Sequence, residues 1–157
     1  GGEFGQWNEW NHDSSLDWDL LNQETHSGLQ KWVKDLNRVY RNHPSLYCRD
    51  LDEEGFEWID CANHEESILV FLRKGDGAED QMVIVLNFTP APRYDYEIGV
   101  PEAGHWKEIL NSDAKEYGGS GIGNLGGVEA ISQPLHGKPF SIKISLPPLA
   151  AIFLSRS

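Results

Sequence analysis

Tryptophans, amides and carboxylates lie close together near the start of the chain, where they could contact a sugar. Trp7 and Trp10 are three residues apart, and Gln6 and Glu9 lie beside them. Aromatic rings stack on the apolar CH faces of sugars, while amides and carboxylates pair with sugar hydroxyls. From these residue types alone, contact with a sugar and packing in a core are equally supported.

Two glutamates in the same segment raise the question of a glycosidase carboxylate pair. Glu3 and Glu9 would need carboxyl groups about 5–5.5 Å apart for a retaining reaction, or about 6.5–9.5 Å apart for an inverting one. Spacing along the chain does not fix that distance. No catalytic residue is therefore assigned from this pair.

A second motif, residues 121–126, reads GxGxxG, the pattern of dinucleotide-binding turns. That fingerprint needs a strand before it and a helix after it. Here further glycines flank it on both sides, giving six between positions 118 and 127. The pattern indicates a long, folded surface loop, and no cofactor is expected.

Two other groups of reactive side chains support no site. His12, Asp13, Asp17 and Asp19 are close in sequence, but their spacing matches no cation-binding loop, so no metal is predicted. Cys48 and Cys61 lack a CxxC pattern or a neighbouring cation, and we expect small side chains that are buried or half-buried.

The overall composition excludes several classes of partner. The 157 residues carry 25 acidic and 13 basic side chains, a net charge of −12, which would repel nucleic acid. No apolar stretch approaches the roughly 20 residues that span a bilayer, so no membrane partner is expected. Two cysteines and the absence of a secretory signal at the start favour the cytoplasm.

Charge and tryptophan are unevenly distributed along the chain. Residues 1–66 hold 15 acidic and 5 basic side chains together with five of the six tryptophans, whereas residues 67–157 hold 10 and 8. The chain begins with Gly1, and its single methionine is Met82. We expect two regions of different character, and a fragment of a larger protein.

One helix is expected in the first region, from about Ser27 to Asn42. Ser27 and Gln30 match a capping box, and Pro44 prevents continuation. The helix should carry one apolar stripe, made of Leu29, Trp32, Val33, Leu36, Val39 and Tyr40. An isolated helix of this length is marginal in water. The stripe should therefore pack either on the following domain or on an element outside this chain.

From about Asp50 onward, the apolar residues alternate with polar ones, which is typical of strands. The runs Ser67–Lys74 and Gln81–Phe88 should form a central hairpin around Gly75-Asp76-Gly77. Further strands are expected at Phe56–Asp60, Tyr94–Val100, Trp106–Asn111, Phe140–Leu146 and Leu149–Leu154. About seven strands without intervening helices predict a mainly β chain, folded as an antiparallel β-sandwich.

A series of motifs, in one order along the chain, resembles the C-terminal part of bacterial 1,4-α-glucan (glycogen) branching enzymes. The motifs at residues 1–6, 9–11, 15–18, 34–37 and 40–41 resemble the end of that family's catalytic barrel. Those at residues 55–59, 87–90, 106–113, 117–120 and 146–150 resemble its C-terminal β-domain.

The resemblance implies a family 13 glycoside hydrolase architecture with two regions in this chain. Residues 1–48 would be the loop after the eighth strand of a (β/α)8 barrel and the last barrel helix. Residues 49–157 would be the C-terminal all-β sandwich of alpha-amylase type. The loop would border the glucan cleft. Candidate glucan contacts are then Glu3, Gln6, Trp7, Trp10 and Trp58.

The resemblance also implies a reaction. Members of the family cut an α-1,4-glucan chain, hold it on an aspartate and transfer it to a 6-hydroxyl, with a glutamate as acid and base. These carboxylates lie on earlier barrel strands, so this chain has no assigned catalytic residue and should be inactive alone. Its expected partners are an α-glucan, such as glycogen or amylose-like chains, and the missing N-terminal part of the barrel.

Two alternatives stay open. The chain could be a stand-alone glucan-binding module, or the tail of another family 13 enzyme such as an amylase or trehalohydrolase. In the barrel interpretation, Trp32, Val33 and Leu36 would pack on elements absent here. The helix should then expose them, fold back on the sandwich or dimerise through them.

Overall fold

The structure, a computed structural model, describes residues 1–77 and 79–156. Within these residues, one long helix precedes eight strands, with short 3-10 turns between them. The helix, α1, spans Glu24–Asn42. The strands are β1 Phe56–Asp60, β2 Ile68–Lys74, β3 Gln81–Asn87, β4 Arg93–Val100, β5 His105–Asn111, β6 Gly127–Glu129, β7 Phe140–Leu146 and β8 Ala150–Arg156.

The strands form two antiparallel sheets that pack face to face. The larger sheet has the order β1-β2-β3-β8-β5-β6, and the smaller pairs β4 with β7. Alternate side chains of both sheets meet in one core, whose fully buried members include Val70, Val85, Ile98, Ile142 and Trp106. The β-sandwich predicted from the sequence is confirmed.

Helix α1 covers the other face of the larger sheet. Met82 and Ile84 of β3 point towards the helix, where they pack with Val39, while Val83 and Val85 of the same strand point into the sandwich core. This alternation explains why β3 reads as a nearly continuous apolar run. The chain therefore has three layers: α1, the six-stranded sheet and the two-stranded sheet.

Half of the apolar stripe of α1, namely Trp32, Leu36 and Val39, packs on the chain's own sheet, while Val33 lies outside this cluster. Trp32 packs edge-on against Tyr117, with ring centroids 5.4 Å apart, and lies 6.4 Å from the ring of Phe153. Of the three expected outcomes, the structure shows the helix folded back on the sandwich. The stripe is incomplete, however, because Leu29 and Tyr40 remain 37% and 45% exposed.

The predicted start of the helix was wrong. Helix α1 begins at Glu24, three residues earlier than expected, and Gln23 at its N-cap makes no side-chain capping bond. The hydroxyl of Ser27 donates to the carbonyls of Gln23 and Glu24 at 3.1 and 3.2 Å, so it bonds backward within the first turn. The helix continues directly from the 3-10 turn at Trp18–Asn22, and this is why no capping box is needed.

The glycine-rich segment after β5 is a folded loop, as predicted. Gly118, Gly121 and Gly126 all have positive φ angles. The carboxylate of Asp113 holds the loop by accepting hydrogen bonds from the backbone N–H groups of Ser120 and Ile122. The short strand β6 at the end of the loop was not predicted.

The expectation for the two cysteines was wrong. Cys48 and Cys61 are both free and exposed. Cys48 lies in the run of turns after α1, and Cys61 follows the last residue of β1, so neither position belongs to a strand face or a helix stripe that packs inward.

Candidate functional site

The segment before α1 is anchored on the helix through its fourth residue. The side chain of Phe4 is fully buried and lies 5.3 Å, centroid to centroid, from the ring of Trp18. The carbonyl of Phe4 lies 2.8 Å from Nδ1 of His26, a buried residue in the first turns of α1. Because a carbonyl only accepts, Nδ1 carries the hydrogen. The start of the loop is therefore fixed relative to the helix.

Gln6 closes the loop that carries the two tryptophans. Its Oε1 accepts a hydrogen bond from the backbone N–H of Asp17 at 2.9 Å, and its Nε2 donates to the carbonyl of Asn8 at 2.9 Å. Nδ2 of Asn8 in turn donates to the Asp17 carboxylate at 2.8 Å. The amide of Gln6 thus holds together two parts of the loop that are 11 residues apart.

Trp7 and Trp10 project from this loop into solvent. Their side chains are 75% and 76% exposed, unusually high values for tryptophan. The ring of Trp7 rests edge-on against His26, with centroids 5.5 Å apart. Trp10 lies 6.0 Å from the ring of His12, which is itself exposed. Two wide aromatic surfaces are therefore available for an external partner.

Glu3 is a charged acceptor in the same segment, where it lines one surface with Gln30, Val33 and Lys34 of α1. A hydrogen bond from its own backbone N–H is the main cause of the lowered pKa of its carboxyl. The group is therefore ionised at neutral pH. An ionised carboxylate accepts hydrogen bonds from hydroxyls but cannot act as a general acid.

Trp58 lies elsewhere in the fold. It is on β1, at the edge of the larger sheet, where it packs edge-on against Phe56 at 4.9 Å and Phe71 at 5.9 Å. The side chain is 49% exposed. The structure thus gathers Glu3, Gln6, Trp7 and Trp10 in one segment and places Trp58 in a separate aromatic cluster.

The described ranges, 1–77 and 79–156, show neither a metal site nor a membrane-spanning helix. In these residues no group of three or more His, Cys, Asp or Glu side chains is arranged to hold a metal ion. Nor does any helix there combine the length and apolar character needed to cross a bilayer.

Sequence reasoning missed His26, which the structure places at the centre of the site. A signal was present, since His26 precedes Leu29 and Val33 at the spacing of the helical stripe. Because the helix was expected to begin at Ser27, His26 was not counted in it.

The comparisons with known proteins agree with this architecture. The family described as "Alpha amylase, C-terminal all-beta domain" matches residues 58–157. The 1,4-alpha-glucan branching enzyme GlgB of Aquifex aeolicus is 54% identical over 98% of this chain, and that of Cereibacter sphaeroides is 56% identical over 99%. The chain spans only 24% and 21% of these two relatives.

Solved structures resemble the chain in fold. An alpha-amylase from H. orenii matches 93% of the chain with a TM-score of 0.55 at 15% identity, over 24% of its own length. The trehalulose synthase MutB matches 81% of the chain with a TM-score of 0.52 at 17% identity, over 18% of its own length. Because the family match, over residues 58–157, takes in more than half of the chain and reaches from within β1 through β8, the chain belongs to the family of alpha-amylase C-terminal all-beta domains.

Proposed function

We propose that this chain acts as the C-terminal part of a 1,4-α-glucan branching enzyme, in which residues 1–48 complete the catalytic barrel and residues 49–157 form the supporting sandwich. The observation that carries the proposal is the 54–56% identity to branching enzymes over almost the whole chain. An amylase or a trehalohydrolase is a weaker candidate, because the alpha-amylase of similar fold is only 15% identical.

The reaction we propose for the whole enzyme is cleavage of an α-1,4-glucan chain and its transfer to a 6-hydroxyl, forming α-1,6 branches in glycogen biosynthesis. The catalytic carboxylates would come from elements outside this chain. The exposed thiols of Cys48 and Cys61 favour the reducing cytoplasm as its location.

Within that enzyme, the chain would supply one wall of the glucan cleft. Trp7 and Trp10 would stack on glucosyl rings, and Glu3 would accept hydrogen bonds from sugar hydroxyls. Support comes from the exposure of both indoles and the ionised state of the carboxylate. Gln6 would act mainly by holding the loop closed, since both ends of its amide are already bonded.

A chimera tests the proposal directly. The matching segment of the Aquifex aeolicus enzyme, 54% identical over 154 residues, is replaced by this chain, and α-1,6 linkages formed on amylose are measured. We expect the chimera to branch amylose, whereas the same enzyme truncated before the segment should not. A folded chimera that leaves amylose unbranched would contradict the proposal.

The isolated chain provides the complementary experiment. Mixed with amylose, it should form no α-1,6 linkages, because its sequence supplies none of the three catalytic carboxylates. New α-1,6 linkages made by the purified chain would overturn that assignment.

A stand-alone glucan-binding function is the second candidate, and the exposure of Trp7 and Trp10 favours it. Titration of maltoheptaose into the isolated chain, followed by tryptophan fluorescence, separates the two functions. A saturable response that Trp7→Ala abolishes and Trp58→Ala preserves would indicate binding by the loop. A flat response up to millimolar sugar would indicate a supporting role only.

A further inference from the structure

His26 joins the helix to the proposed glucan-binding loop through two contacts made by one ring. Nδ1 donates to the carbonyl of Phe4 at 2.8 Å, and the ring also forms the edge-on contact with Trp7. The residue is only 8% exposed. A polar side chain buried in this way is costly unless it is hydrogen-bonded, so the bond to Phe4 fixes both the tautomer and the plane of the ring.

The atoms around His26 leave this arrangement little freedom. Phe4 is fully buried, and its carbonyl is bonded to His26 of the helix. Gly5 follows with a φ of +67°, and its α-carbon lies close against Leu29, since a Cβ there would be 3.0 Å from that side chain. The loop therefore turns sharply between its anchor and Trp7, and the imidazole supports the indole at the exit of that turn.

Trp10 differs from Trp7 in the kind of residue that its ring contacts. Its ring contacts His12, whose side chain is 73% exposed and lies in the loop itself. Trp7 rests on a buried residue of a 19-residue helix, whereas Trp10 rests on an exposed residue of its own segment. A stacking surface binds a sugar ring more tightly when its orientation is set beforehand.

We propose that His26 is a positioning residue for glucan binding: the imidazole, locked by its bond to the Phe4 carbonyl, holds the Trp7 indole in the orientation that stacks on a glucosyl ring. This inference rests on the proposed function, because it assigns a role within the same cleft. His26 itself would touch neither the reacting bond nor the catalytic carboxylates.

The orientation of Trp7 can be measured without any sugar. The 157-residue chain is labelled with 5-fluorotryptophan, and the fluorine resonance of Trp7 is assigned from the Trp7→Phe variant. We expect His26→Leu to move the Trp7 resonance towards its unfolded position. His26→Asn, whose amide N–H can replace Nδ1–H but which lacks the ring edge against Trp7, should move it less than His26→Leu does. The resonance of Trp106, fully buried between the sheets, should stay in place in both variants.

Activity is then measured in the branching-enzyme chimera. His26→Leu should raise KM for amylose about tenfold, equivalent to about 1.4 kcal/mol of lost binding, with kcat changed less than about twofold. His26→Asn, which can keep the bond to the Phe4 carbonyl but not the ring contact, should raise KM less than His26→Leu does. His64→Leu is the matched control, because His64 is an exposed histidine in the turn before β2, and it should change neither constant.

Two results would overturn the inference. If the Trp7 resonance is unchanged in His26→Leu, the imidazole does not orient the indole. If Trp106 shifts as well and kcat falls together with the rise in KM, His26 merely stabilises the fold. Failure of the proposed function gives a different pattern, in which the chimera with native His26 is inactive while the fluorine spectra of the isolated chain still respond as expected.

Discussion

Tyr117 links the sandwich to helix α1 by a single hydrogen bond from its phenol. The hydroxyl donates to Oδ2 of Asp35 at 2.8 Å, and Arg38 pairs with the other oxygen of that buried carboxylate at 2.9 Å. We expect Tyr117→Phe to lower the free energy of unfolding by about 1–2 kcal/mol, because the ring contact with Trp32 remains and only the bond to a charged acceptor is lost. Urea denaturation measures the change.

The pH dependence of that loss provides the control. Burial, and then the bond to Asp35, raise the pKa of Tyr117 above its ordinary value of about 10. A raised pKa contributes stability below pH 10 that is lost as the pH rises through the folded-state value. The difference between the native chain and Tyr117→Phe should therefore shrink above pH 10. Tyr94→Phe, at a position 64% exposed, should show little difference at any pH.

The contribution of Glu57 to the stability of the fold has the opposite pH dependence, because it is lost in the acid range. Its carboxylate on β1 accepts hydrogen bonds from Lys138 and from Lys74, and the bond to Lys138 is the main cause of its lowered pKa. Such a group stabilises the fold above its ordinary pKa of 4.5, and the stability is lost as the pH falls through the lower, folded-state value.

Glu57→Gln should therefore be less stable than the native chain at pH 7, by about 0.5–1 kcal/mol because the pair is partly exposed. The gap should close as the pH falls below 4.5, as followed by thermal unfolding at a series of pH values. Glu65→Gln, in an exposed turn, is the matched control. A gap that stays constant down to pH 2 would mean that Glu57 acts through packing instead of charge.

At the scale of elements, the clearest close contact is between α1 and the loop after β5. A Cβ added at Gly28 would lie only 2.6 Å from the backbone carbonyl oxygen of Tyr117. Replacing glycine by alanine inside a helix normally stabilises it by about 1 kcal/mol. Here we expect Gly28→Ala to destabilise the chain by about 1–3 kcal/mol, because the helix must move away from the sheet.

The sign of the change in the free energy of unfolding tests this prediction. Asn37→Ala, on an exposed part of the same helix, should stabilise the chain by about 0.5 kcal/mol through propensity alone. If both variants are stabilised in denaturant titrations, the contact between Gly28 and Tyr117 is not tight in solution.

Some strands are predicted from the sequence better than others. The well-predicted strands depend on patterns among neighbouring residues, whereas the others depend on pairing with distant parts of the chain. The ends of β1 and β7 were predicted correctly, because alternation and flanking turn residues are local. Strand β6 was missed because residues 127–129 become a strand only by pairing with β5, opposite His105, Trp106 and Lys107. Likewise, the division into six and two strands depends on the long-range pairing of β8 with β3 and β5.

The residues of the candidate site also differ in how far the sequence alone predicts their roles. From residue type alone, sugar contact and core packing were equally supported for Trp7 and Trp10, and only the structure shows that both side chains are exposed. The roles of Gln6 and His26 could not be predicted, because they depend on bonds across 11 and 22 residues that only the folded loop brings together.

For the molecule as a whole, helix α1 has one face that the sandwich does not cover. That face forms a shallow groove lined by Glu3, Gln30, Val33, Lys34, Asn37 and Arg41. None of these side chains belongs to the apolar cluster that joins α1 to the sheet. The Aquifex aeolicus relative is about four times as long as this chain. In the proposed enzyme we expect the helical side of the groove, from Gln30 to Arg41, to lie against the catalytic barrel, while Glu3 faces the glucan cleft.

Thiol labelling tests that expectation by comparing one position in two contexts. Lys34→Cys, placed in a Cys48→Ser, Cys61→Ser background, should react rapidly in the isolated chain, because the groove is open there. In the branching-enzyme chimera the same thiol should react at least tenfold more slowly, because only the fraction of molecules in which the interface opens can be labelled. Tyr94→Cys, an exposed position on β4 of the smaller sheet, should react equally fast in both. Equal rates at Lys34→Cys in the chain and in an active chimera would instead place the barrel on another surface, and the open face of α1 would then have a different use.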